Sequence, residues 1–190
     1  MIWIGLLKSY FCQNELDYAT SNILFKDKYF MRSIAQGIVL QSKFAEVNSI
    51  QRAQNFIFKN GKSVIKPRQM DSAKGIIVVE NIEDNRLNAI DFEQSQLMVE
   101  TYCDLKNMVT VDGFSNGKEI EELYFHEYFS PLLNAINSEE YIGVRTSRLY
   151  FSNAQYAEKT RLRLRTACAK ILGKISCRDE VTPFHFEFFL

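Results

Sequence analysis

The chain is poor in residues that break or staple a backbone. Three Pro and eight Gly in 190 residues leave few points of enforced irregularity, which excludes a loop-rich scaffold and a low-complexity chain. The four cysteines, Cys12, Cys103, Cys168 and Cys177, contain no C-x-x-C pair, and there are only two histidines. No local zinc set can be assembled from them, so the expectation is no metal and no cofactor, with the thiols reduced. Formal net charge is also lacking, at zero. The apolar start Met1 to Leu7 has no basic flank and is cut by Lys8, too short for a membrane span or a leader. A cytoplasmic protein that does not enter a membrane is expected.

What is present is a large apolar payload, 46% hydrophobic and 13% aromatic residues, enough to bury one core. A single domain over residues 1–190 of α+β or mixed α/β class is expected, with a central, mostly buried sheet, four to five helices and a β-hairpin near residues 56–66. The opening run reads as a buried strand. From Lys28 to Gln54, Phe30, Ile34, Ile38, Leu40, Phe44, Val47 and Ile50 recur at helical spacing, with Gly37 as a weak point. Asn60-Gly61 lies between Phe56-Ile57-Phe58 and Val64-Ile65, the pattern of a tight hairpin turn; the competing reading makes the pair a helix C-cap. Pro67 marks the second arm as an edge, where Lys59, Lys62, Lys66 and Arg68 would keep it from pairing with other chains.

Beyond it, "GIIVVENI" predicts a strand, residues 89–105 a helix, and "NMVTVDGF" a strand running into a turn. Ser115 would cap a helix beginning near Gly117 that Pro131 bends, with Leu132, Leu133 and Ile136 on its core side. Residues 140–151 read as a strand pair or one bent strand. A helix follows from Asn153 to Leu172 with Gly173 as its C′ residue, and "TPFHFEFFL" alternates as a terminal strand.

The common catalytic signatures are missing: no phosphate-binding glycine loop, no dinucleotide fingerprint, no nucleophile elbow and no H-E-x-x-H. His126 and His185 each sit among aromatics and read as ordinary histidines. His185 and Glu187 share the H-x-E spacing of a zinc deaminase without its cysteine pair, and Asp71, Glu80, Glu83 and Asp91 around the "GIIVVE" run lack the nuclease pattern. No catalytic residue is assigned.

Charge is segregated instead. Arg52 to Lys74 holds six basic residues against one acid, and Lys159 to Arg178 holds seven against none; Glu80 to Asp104 and Glu119 to Glu140 are each at −6. On helix 153–174, Lys159, Arg163, Lys170 and Lys174 share one side, and Leu164, Cys168 and Ile171 another. The helix-then-hairpin order of residues 28–66 resembles winged-helix proteins in outline, without the recognition-helix pattern. The expected function is therefore a non-enzymatic regulatory protein that binds a protein partner or its own copy. The alternative is nucleic-acid binding by the basic hairpin 56–68 (Lys59, Lys62, Lys66, Arg68) and by Lys159, Arg163, Lys170 and Lys174. A third reading is a metal-dependent nuclease or another enzyme with a dispersed site.

Overall fold

Two four-stranded antiparallel sheets, each with a helix against one face, organise the chain. The structure, a computed structural model, describes residues 23–70, 74–93, 95–104, 107–117, 119–130, 143–175 and 181–190. The α+β class expected from the sequence holds, with two sheets where one central sheet was expected. Contacts group the residues into two compact units: an N-terminal unit of 22–36 and 40–104, and a C-terminal unit that includes 37–39 and 105–190. The strand expected at the chain start, Cys12, Cys177, Pro131, Leu132, Leu133 and Ile136 lie outside the described residues.

In the N-terminal unit, helix α1 (Lys28–Ala35) begins at Asp27, whose carboxylate accepts from the backbone N–H groups of Tyr29 and Phe30. Strand β1 (Phe44–Val47) and helix α2 (Ile50–Asn60) follow, then β2 (Ser63–Pro67), β3 (Ile77–Val79) and β4 (Leu97–Thr101), in sheet order β1-β4-β2-β3. Because side chains alternate across a strand, the register places Val47, Ile65, Val79, Leu97 and Val99 on one face. Ala53 and Ile57 of α2 complete this core with Leu87 and Phe92. The opposite face carries Glu46, Val64, Lys66, Met98 and Glu100.

The C-terminal unit orders its strands β7-β6-β5-β8: β5 (Met108–Asn116), β6 (Glu119–Tyr128), β7 (Val144–Thr146) and β8 (Val181–Phe189). Helix α3 (Gln155–Ile175) packs against β6. Its Leu164, Cys168, Ile171, Leu172 and Ile175 are buried, as are Val109, Val111, Phe125, Phe184 and Phe186 on the sheet. Gly113 is required where β5 meets β8, since a Cβ there would stand 2.2 Å from the Glu122 carbonyl oxygen and 2.7 Å from the Phe184 ring.

Several local expectations are corrected. Residues 56–66 do not form a hairpin: Ser49 caps α2, and Gly61, at φ +77°, ends it with its N–H bonded to the Ile57 carbonyl at 2.7 Å. Helical spacing of Ile50, Ala53 and Ile57 outweighs the Asn-Gly signal, so the winged-helix outline fails. Strand β2 is paired on both sides, by β3 and β4, and is not an edge; Pro67 stands at its end, where a missing N–H is tolerated. The segment read as helical from Lys28 to Gln54 divides into α1, β1 and the start of α2, with a break at Gly37 (φ +79°). The helix expected over 89–105 is replaced by β4, whose contiguous Leu97, Met98 and Val99 are buried on both faces, a pattern periodicity alone cannot separate from a helix. The helix expected from Gly117 is β6 instead. Asn116 pairs with Glu119 across a two-residue turn whose first position is Gly117, at φ +60°, where the positive φ of a hairpin turn favours glycine. The terminal strand is as expected, and α3 runs through Gly173 to Ile175.

Candidate functional site

Each sheet packs a helix on one face, and the chemistry-bearing side chains lie on the other, which in the N-terminal unit is itself largely buried. In the N-terminal unit, Lys66 projects from the central strand β2 away from α2. Its Nζ is 2.5 Å from Glu100 Oε1, and the Arg32 guanidinium, reaching in from α1, is 2.5 Å from Glu100 Oε2. Arg32 also donates to Ser42 Oγ at 3.1 Å. The three charged side chains are only 12–22% exposed, so their attraction is screened less than that of a surface pair.

Farther along the same sheet, Arg68 is buried. It ion-pairs Asp27 at 2.7 Å, contacts Glu46, and lies over the rings of Tyr29 and Phe30 at 5.0 and 4.7 Å. Burial pushes the Asp27 carboxyl upward, but hydrogen bonds from Arg68 and the Phe30 N–H outweigh it and hold the carboxyl below the usual carboxylate range. This pair ties the start of α1 to the end of β2. Lys28 beside it donates to the carbonyls of Arg68 and Met70.

The C-terminal unit carries a different set. Thr110 and Asp112 on β5, His126 and Tyr128 on β6, and His185 and Glu187 on β8 share one face by register. Asp112 Oδ1 is 2.6 Å from His185 Nδ1, and its Oδ2 is 2.9 Å from His126 Nδ1 and accepts from Thr110 Oγ1 at 2.9 Å. His185 Nε2 lies 3.6 Å from Glu187 Oε1, which accepts from the Tyr128 hydroxyl at 3.2 Å. The row Tyr128–Glu187–His185–Asp112–His126 thus crosses three strands.

Glu187 and Asp112 favour the imidazolium of His185, against a desolvation that opposes it, and raise its pKa to about 9; by distance the Asp112 contact is the tighter hydrogen bond. Burial pushes Asp112 up, but His185, His126 and Thr110 together hold it below its ordinary value. Burial, with Glu187 next, raises Tyr128 to about 12. An open groove of about 360 Å³ lies beside the row, walled by Phe114, Tyr124 and Pro183 with Asp112 and His185 at its side. Among the described residues, no group of three or more His, Cys, Asp or Glu is arranged to hold a metal ion.

The residues singled out for nucleic acid fall four in each unit. Lys59 is exposed in the last turn of α2. Lys62 pairs with Glu80 at 2.8 Å and stands over the Tyr102 ring at 4.4 Å, while Lys66 and Arg68 are engaged by carboxylates as above. Lys159, Arg163, Lys170 and Lys174 form the exposed face of α3, as the helical periodicity implied, and belong to the other unit. Reasoning from the sequence missed Arg32, Asp112, Tyr128 and the role of Glu100 altogether. A marker for Asp112 existed in the alternation of "MVTVDGF", where Thr110 and Asp112 interrupt an apolar run.

No family model matches the chain, and no curated protein matches it. Solved structures do. N5-carboxyaminoimidazole synthetase from Staphylococcus aureus complexed with ADP aligns with 90% of the chain at TM-score 0.64 and 14% identity. D-alanyl-alanine synthetase A from Vibrio cholerae aligns with 90% at TM-score 0.64 and 14% identity. Carboxyaminoimidazole ribonucleotide synthase from Aspergillus clavatus complexed with ATP aligns with 92% at TM-score 0.66 and 16% identity. The chain spans about half the length of each: 43%, 53% and 47%. Among the described residues no helix is long and apolar enough to cross a membrane. These likenesses contradict the expected non-enzymatic regulatory module: the fold of the chain is one found in these synthetases.

Proposed function

We propose that the chain is the nucleotide-binding part of an ATP-dependent ligase. The observation that carries the reading is the likeness over nine-tenths of the chain to synthetases, two of them holding ADP or ATP. The face of the N-terminal sheet away from α2 suits the polyphosphate. Lys66 stands on a central strand, fixed by sheet pairing on both sides, and an ammonium on a rigid support is a natural phosphate ligand. Glu100 occupies Lys66 until a phosphate competes for it. The row on the C-terminal unit offers acid–base groups, with His185 protonated at neutral pH between two carboxylates, where a reaction that sheds or takes up a proton can use it.

The chain is proposed to work in the cytoplasm, where Cys103 and Cys168, both free, stay reduced. The test is equilibrium binding of MgATP to the purified chain and to Lys66→Ala. Saturable binding by the first, weakened at least about tenfold in the second, supports the reading. Absence of binding by the unmodified chain would refute it.

A further inference from the structure

Glu100 holds two cations at once, one on each carboxylate oxygen, and the two come from different elements: Lys66 from β2 and Arg32 from α1. Its side chain is only 12% exposed. A carboxylate so withdrawn from water is strongly disfavoured without a compensating charge. If Lys66 were its sole partner, giving Lys66 to a phosphate would strand that charge. Arg32 removes the obstacle, because it stays on Oε2 and is itself anchored by Ser42 Oγ.

We infer that Arg32 is a positioning residue that lets Lys66 pass from Glu100 to the polyphosphate of a nucleoside triphosphate; this rests on the nucleotide reading above. Arg32 does not touch the phosphate. It acts through Glu100, which sets it apart from a cation that recognises ligand directly. Three consequences follow from that geometry. Arg32→Gln weakens polyphosphate binding, because Lys66 is then held by an otherwise uncompensated carboxylate. Glu100→Gln strengthens it, because Lys66 is released. In the Glu100→Gln background, Arg32→Gln does nothing, since there is no charge left to compensate.

The experiment is a double-mutant cycle read by titration calorimetry with MgATP and, separately, with inorganic triphosphate. Arg32→Lys serves as the conservative variant, and circular dichroism of every protein establishes that it is folded. The expected result is a roughly tenfold loss for Arg32→Gln with both ligands. Binding should be within about threefold of the unmodified chain for Arg32→Lys, and the Arg32→Gln loss should vanish in the Glu100→Gln background. Equal losses from Arg32→Gln in both backgrounds would overturn the inference and make Arg32 a direct phosphate ligand. So would no loss in either background, weaker binding by Glu100→Gln, or an Arg32→Gln chain that cannot fold while Arg32→Lys binds no better than it. An unmodified chain that binds neither ligand would overturn the nucleotide reading and this inference with it.

Discussion

The sheet faces that α2 and α3 leave free in the two units use charge in opposite ways. On the N-terminal sheet, Arg32, Lys66 and Arg68 meet Glu100, Asp27 and Glu46, and most of these side chains are withdrawn from water. On the C-terminal sheet the charges centre on imidazole, with the His185 and Asp112 side chains 53% and 34% exposed. The first face is a buried network of ion pairs; the second is a half-exposed network centred on two histidines. Two four-stranded antiparallel sheets thus acquire different chemistry from a few side chains at alternate positions on their strands.

The contrast can be broken most forcefully at Arg68. Arg68→Met leaves Asp27 buried at 1% exposure without its cation, a loss of about 3–5 kcal/mol by comparison with other severed buried pairs. Urea denaturation followed by amide hydrogen exchange should show protection falling in α1 and β2, while β5, β6 and β8 hold theirs. The mirror experiment is Gly113→Ala. The added methyl meets a backbone carbonyl on one strand and a phenyl ring on another, and overpacking of this kind costs about 1–3 kcal/mol. Here the C-terminal strands should lose protection and the N-terminal ones keep it.

The smallest effect sharpens the comparison by pH. The His185 pKa is raised from 6.5 to about 9, so its contribution to stability is complete below the unfolded value and is lost as pH rises through 9. Asp112, lowered from 3.8, contributes above that value and loses its contribution as pH falls below it. Thermal unfolding between pH 6 and 10 should therefore show the C-terminal unit declining on the alkaline side, with His185→Gln flattening that decline. Half-exposure of the imidazole keeps the effect modest.

Much of the framework could be read before any coordinates. Strand β8, helix α3 with its basic exposed face, and the strand inside "GIIVVENI" follow from alternation and helical period. What defeated the reading was local ambiguity. Two Asn-Gly pairs carry the same signal, yet Asn60-Gly61 caps a helix because Ile50, Ala53 and Ile57 line one side of it, and Asn116-Gly117 turns a hairpin because strands flank it. Leu97-Met98-Val99 is short and apolar throughout, so neither period is visible in it. The candidate sites were illegible for a different reason. Asp112 meets His126 and His185 across 14 and 73 residues, and Lys66 meets Glu100 across 34; only sheet register brings such groups together. A reading that sought motifs of local spacing had no means of joining them.

We propose that the N-terminal sheet face grips nucleotide polyphosphate through Lys66. Calorimetric titration of the purified chain with MgATP, alongside Lys66→Ala, tests it most directly. The expected result is saturable one-site binding that weakens at least about tenfold in the variant, a loss of about 1.4 kcal/mol or more, with the variant's fold intact. Binding of equal strength in both proteins, or none by the unmodified chain, would contradict it.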